Sequence, residues 1–123
     1  MYFRIIAFQS FQLLTLETAN FQLTVVYLSI GPDMEEVTRK MKEVLDLSKP
    51  QVIVGDFNFD PREKNHLTTY FTTLGLNQMV KEATQLEGRT IDHLYVTTDL
   101  NVQVDVQFKY FSDHAALHIK VTE

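Results

Sequence analysis

The segment Gln51-Val-Ile-Val54 is a short, essentially continuous apolar run, opened by Pro50 and closed by Gly55-Asp56. A strand with one wet face alternates apolar and polar residues, whereas a continuous run needs cover on both faces. A chain that contains such a strand must build layers around it. The flanking sequence supplies candidates of both kinds.

Upstream, Phe11–Glu17 and Phe21–Tyr27 read as two strands joined at Thr18-Ala19-Asn20, a connection short enough for a hairpin. In the second of them Phe21, Leu23, Val25 and Tyr27 share one face by alternation, and that face is expected to be core. Between the hairpin and the apolar run, Asp33-Met-Glu-Glu36 has the form of a capping box. Met34, Val37, Met41, Val44 and Leu45 then recur at helical spacing, which predicts a helix over Asp33–Leu47. A second helix is predicted over Glu63–Leu74, with Leu67, Tyr70, Phe71 and Leu74 inward and Gly75 as its stop. Strands are predicted over Thr90–Thr97, Val102–Tyr110 and Ala115–Val121. The sum is a mixed α/β layer architecture, a mostly antiparallel sheet with two helices. Residues 1–123 form one domain in this reading, with no repeat, linker or low-complexity tract.

Composition narrows the function classes. Hydrophobic residues at 45% and charged residues at 22% of 123 match a soluble globular chain. There is no cysteine, so disulfides and thiolate metal sites are excluded. No apolar run reaches the roughly 20 residues that cross a bilayer, and Met1–Phe8 lacks the form of a signal peptide. A soluble intracellular protein, nuclear or cytoplasmic, is therefore expected, with no membrane partner. The net charge of -5, from 11 Lys and Arg against 16 Asp and Glu, argues against a module that coats nucleic acid through phosphate contacts alone. It leaves room for a metal-dependent phosphodiesterase, whose carboxylates are offset by a divalent cation.

Three segments place polar residues at strand ends, where layered α/β domains carry their sites. The first is Gly55-Asp-Phe-Asn58, following the apolar run. In an extended conformation Asp56 and Asn58 point to one side, where a carboxylate and an amide can position a water and donate to a phosphate oxygen. The same residues also suit an Asx-type turn. The second is Thr90-Ile-Asp-His-Leu-Tyr95. Asp92 reads either as a site carboxylate or as an edge-strand acid facing water, and His93 as a partly exposed residue on the opposite side. The third is Phe111-Ser-Asp-His114. Asp113 is a hard-oxygen ligand of the kind Mg2+ takes, and His114 a base near neutral pH whose tautomer Asp92 would fix.

In order and residue type, Gly-Asp-Phe-Asn, then Thr-Ile-Asp-His, then Ser-Asp-His resemble the endonuclease/exonuclease/phosphatase family. The resemblance implies a four-layer α/β sandwich with a divalent-metal site, Mg2+ or Mn2+, at one rim. It covers nearly the whole chain but only the second half of such a domain, so 1–123 is expected to lack the N-terminal half and its metal-binding Glu. By resemblance Asp56 orients or deprotonates the attacking water and also serves the metal, and Asn58 binds the scissile phosphate. Asp113 contributes to the metal site, and His114, held by Asp92, contacts the phosphate or acts as base. Which of Asp56 and His114 takes the proton stays open. Tyr27, ending Val-Val-Tyr, is similar to the family's active-site tyrosine or histidine position, and equally suits a core or rim tyrosine.

The implied activity is metal-dependent phosphodiester hydrolysis, as an endonuclease or exonuclease on nucleic acid, with DNA favoured. Thr84–His93 is similar to nucleases carried by mobile elements or fused to helicases. Phosphatases of inositol phosphates or lipids within the family, and a non-catalytic remnant or interaction module, are the competing readings. A missing half also predicts an exposed apolar sheet face, open to a completing polypeptide or to self-association.

Overall fold

A computed structural model describes residues 2–7, 10–108 and 114–122. A six-stranded sheet runs in the order β1 (Tyr2–Ala7), β2 (Phe11–Glu17), β3 (Gln22–Leu28), β4 (Gln51–Asp56), β6 (Asp92–Val96) and β5 (Asn77–Gln78). Every pairing is antiparallel except β3 with β4. That parallel pair is joined by a crossover through α1 (Met34–Val44), as parallel strands require. Helix α2 (His66–Thr73) follows β4, and β7 (Asn101–Phe108) pairs with β8 (Ala115–Thr122) as a separate two-stranded sheet. The mixed α/β class expected from the sequence is the class observed.

Two apolar clusters explain why Val52, Ile53 and Val54 follow one another without a polar residue. Ile53 packs beneath the helices with Leu13, Val26, Leu28, Val37, Met41, Leu67 and Phe71. Val52 and Val54 face the other way, into a cluster with Leu94, Val96 and the inward valines and isoleucine of the β7–β8 pair. Helices, sheet and hairpin thus form three layers, and β4 lies at the centre of the middle one.

The expected core face of β3 is corrected by this arrangement. Gln22, Thr24, Val26 and Leu28 are the buried set, at 2% exposure or less. Phe21 and Leu23 pack against the hairpin cluster, but Val25 and Tyr27 on the same face stand 39% and 46% exposed. Alternation identifies two faces; it does not say which one receives the fuller cover. Buried Gln22 is accommodated because its amide donates to Val44 O at 2.9 Å and its carbonyl accepts from Asp46 N at 2.8 Å, which fastens the end of α1 to β3.

Both helices are shorter than predicted. Helix α1 begins as expected, with Asp33 accepting from Glu35 N and Glu36 N, but it stops at Val44 because Leu45 is extended. Helix α2 starts at His66 and not at Glu63, since Asn65 and Thr68 form the reciprocal capping box. The strand predicted from Thr90 starts at Asp92, and Tyr110 lies outside the described residues. Among the described residues no helix is long and apolar enough to cross a membrane.

Candidate active site

Strand register aligns three of the candidate residues. Tyr27 on β3 is opposite Asp56 on β4, and Asp56 is opposite Asp92 on β6. Counting by twos from Leu23, Val52 and Leu94, which face the hairpin layer, puts Tyr27, Asp56 and Asp92 on that same face. The row sits where β3 and β4 end and β6 begins, at a rim between the two sheets.

Gly55 makes the row possible. A Cβ at this position would lie 1.8 Å from Val26 O, so only glycine lets β4 approach β3 this closely. The chain turns at Asn58, whose φ is 54°. Asp56 accepts from Asn58 N at 3.1 Å, the Asx-type arrangement. The extended pairing of Asp56 and Asn58 is thus replaced by a tight turn. The Asn58 amide donates across to Leu28 O, which pins the turn beside the end of β3. Phe57 N donates to Ile91 O at 2.7 Å and ties the turn to the loop before Asp92.

His114 enters from the hairpin layer, immediately before β8. Its Nδ1 lies 3.0 Å from Asp92 Oδ2. A carboxylate only accepts, so Nδ1 carries the proton and the neutral ring's lone pair is on Nε2. One donor atom each from Asp56, Asp92 and His114 falls within a span of 4.8 Å. Asp56 sits with its pKa raised above 3.8, first because burial disfavours the charge and second because Asp92 is close. Two carboxylates crowded in this way favour a divalent cation between them. Asp113 lies outside the described residues.

Sequence reading missed two residues that hold this site. Thr84 is fully buried, and its hydroxyl accepts from Ile91 N at 3.1 Å and Asp92 N at 3.0 Å. Its carbonyl accepts from Ala115 N at 2.7 Å. One residue therefore joins the backbones that carry Asp92 and His114. Its signal was its place in a loop that precedes Asp92, and a threonine in a loop is ordinarily exposed.

The second is His93, expected to be partly exposed and found fully buried on the helix side. Its Nε2–H donates to Phe59 O at 2.7 Å and Thr90 O at 3.1 Å, which leaves Nδ1 to accept from the Tyr95 hydroxyl at 3.0 Å. Its ring stacks on Phe57 at 4.8 Å. Burial lowers its pKa, in keeping with the neutral form. Three in-place partners make an otherwise costly burial acceptable.

The family profile described as Endonuclease/Exonuclease/phosphatase family matches residues 15–114. Among solved structures, the endonuclease domain of TRAS1, a telomere-specific non-LTR retrotransposon, aligns over 97% of this chain and 66% of its own, with TM-score 0.66 and 16% identity. CdtB, the biologically active subunit of cytolethal distending toxin, aligns over 95% and 55%, with TM-score 0.64 and 16% identity. The human Nocturnin catalytic domain, solved with bound sulfate, aligns over 98% and 60%, with TM-score 0.58 and 18% identity. The chain thus spans from 55% to 66% of the length of these structures. No curated protein sequence matches it significantly.

Proposed function

This chain belongs to the endonuclease/exonuclease/phosphatase family, and on that footing we propose that its rim site hydrolyses phosphodiesters of nucleic acid, DNA by preference, with Mg2+ or Mn2+. The observation that supports this reading is the convergence of Asp56, Asp92 and His114 from three separate segments within 4.8 Å.

The donor set suits a divalent cation in part. Asp56 and Asp92 offer oxygen, and Asp113 would add a third carboxylate from the segment next to His114. Mg2+ asks for near-octahedral oxygen coordination and keeps waters where the protein offers few ligands. Asp56 with Asp113 would hold the ion, whose contribution is to stabilise charge developing on the phosphoryl oxygens. The chain's own residues do the rest. The Asp92–His114 bond presents Nε2 as the nitrogen that accepts or returns a proton. Asp56, in the turn that Asn58 N closes onto it, orients the water. The Asn58 amide has a second N–H beyond the one given to Leu28 O, and this donates to the phosphate. Tyr27, exposed beside Asp56, contacts the substrate at the rim.

The test is nicking of supercoiled plasmid with Mn2+ or Mg2+, with EDTA, and with His114→Ala. The expected result is weak nicking that EDTA abolishes and His114→Ala lowers by about 100-fold. Alongside, Asp56→Ala should abolish Mn2+ binding. Nicking unchanged by His114→Ala, or Mn2+ affinity unchanged by Asp56→Ala, would remove the site from the reaction.

A second reading, a chain active only when completed by another polypeptide or by a further copy, is favoured by one observation. Ile5, Val25 and Tyr27 form an apolar strip on the hairpin side of the sheet, 63%, 39% and 46% exposed. Tyr27 belongs to both readings, so a partner covering the strip would also wall the site.

A further inference from the structure

Resting on the hydrolytic reading of the rim site, we propose that the substrate is a polymeric nucleic-acid strand, and that the stretch beyond the scissile phosphate lies in a groove walled by Asp60–Arg62 and Gln78–Lys81. This groove has a volume of about 530 Å3 and is lined by Asp60, Pro61, Arg62, Gln78, Val80, Lys81 and Thr90. Such a volume lies within the range of ligand sites, roughly 300–1,000 Å3.

The groove is tethered to the site on both sides. Asp60 is two residues beyond Asn58, and Thr90 is two residues before Asp92. Two residues of chain span at most about 7 Å, so Thr90 lies within about that distance of Asp92, and Asp60 within about that distance of Asn58. A small phosphate ester would be satisfied by the rim alone. Only a substrate that continues past the reacting phosphate uses a second cationic surface next to it.

The chemistry of the walls fits a phosphate backbone. Lys81 and Arg62 are both exposed. Arg62 is bound to Asp60 through Nε and one terminal nitrogen, each at 3.0 Å, which meets the acidic charge of the lining and fixes the guanidinium. A planar guanidinium suits phosphate oxygens. The opposite wall is braced from within. Gln78 accepts from Val80 N at 2.8 Å and donates to Val80 O at 2.7 Å, and Lys81 Nζ donates to Gln78 O at 2.5 Å. The ammonium keeps two further donors for a ligand. A wall already ordered costs little entropy on binding. In a chain of net charge -5, a lining where Arg62 and Lys81 outnumber Asp60 gives the local positive excess that a polyanion needs.

The experiment is fluorescence anisotropy with a short fluorescein-labelled oligothymidine in EDTA, so that binding is read without cleavage. It compares the full chain, the double variant Arg62→Glu/Lys81→Glu, and Lys120→Glu, a reversal on β8 away from the groove. The double variant should lose about tenfold or more in affinity, and its dependence on salt should flatten by about 1.4 log units per log unit of salt, about 0.7 for each phosphate no longer neutralised. Lys120→Glu should bind as the unaltered chain does, and inorganic phosphate should compete only weakly. Equal affinity and slope for the double variant and the unaltered chain would overturn the groove, as would absence of oligonucleotide binding by the unaltered chain. Hydrolysis of bis(p-nitrophenyl) phosphate with Mn2+, compared with His114→Ala, reads the reaction separately. If it proceeds while the double variant binds normally, the groove fails and the hydrolytic reading stands. If the double variant loses binding while no His114-dependent hydrolysis occurs, the reverse holds.

Discussion

Asp56 is stabilising in acid and costly at neutral pH, when no cation is bound. Its folded-state pKa is raised, so its contribution is complete below the ordinary 3.8 and is lost as pH rises through the folded value. Asp56→Asn should therefore raise the thermal midpoint of the metal-free protein at neutral pH while abolishing Mn2+ binding. A lower midpoint would mean that the carboxylate is structural. His93 works in the opposite sense. Its pKa is lowered from 6.5, so its contribution is present above that value and is lost as pH falls below it. Asp60, held at about 2 by Arg62, titrates far below this window. Between about pH 7.5 and about pH 5.5 the urea midpoint should fall, and His93→Gln should flatten that fall. Parallel slopes in the two proteins would contradict it. Thr84→Val leaves Ile91 N and Asp92 N without their acceptor and should cost about 1–3 kcal/mol, read by denaturant unfolding. Asp56, Asp92 and His114 were legible because three short motifs in order resemble those of the family, whereas each residue alone equally suits a turn or an exposed strand acid. Thr84 and His93 were illegible there, because their roles lie in burial and in hydrogen bonds that only the folded loops bring about, such as those to Asp92 N and Phe59 O.

Elements place these residues through a small number of close fits. The β3–β4 approach depends on Gly55, and Gly55→Ala forces a Cβ against Val26 O. The cost should reach or exceed about 3 kcal/mol, the upper end for overpacking, and show as loss of cooperative unfolding. The cap of α2 is softer: Asn65→Ala should cost about 0.5–2 kcal/mol. Both helices and the central strand were legible in the sequence, since their apolar spacing and caps are local. The ends of the helices were not. Leu45 leaves α1 extended while Asp46 N bonds Gln22 on β3, and this is a tertiary contact that no window of sequence contains. The two-residue β5 was missed for the same reason, since its support is pairing with β6. Nor did alternation along β3 show that Val25 and Tyr27 would be less covered than Thr24 and Val26, because cover is set by the layer above.

At the scale of the whole molecule, three layers meet at a rim, and the middle sheet brings β3, β4 and β6 to it in register. The hairpin layer covers Leu23 and Val54 but leaves Ile5 and Val25 open. An apolar strip of this kind favours association. Val25→Lys should shift the chain toward monomer in light scattering with little loss of stability, since the site is already partly wet; an unchanged distribution would place the contact elsewhere. The proposed function rests on one site assembled from separate segments, and Mn2+ titration followed by amide NMR reads that assembly without requiring turnover. Paramagnetic broadening should strike residues 27–28, 55–58, 84–92 and 114–115 together, spare α1, and vanish in Asp56→Asn. Broadening centred on another surface, or unaltered by Asp56→Asn, would contradict it.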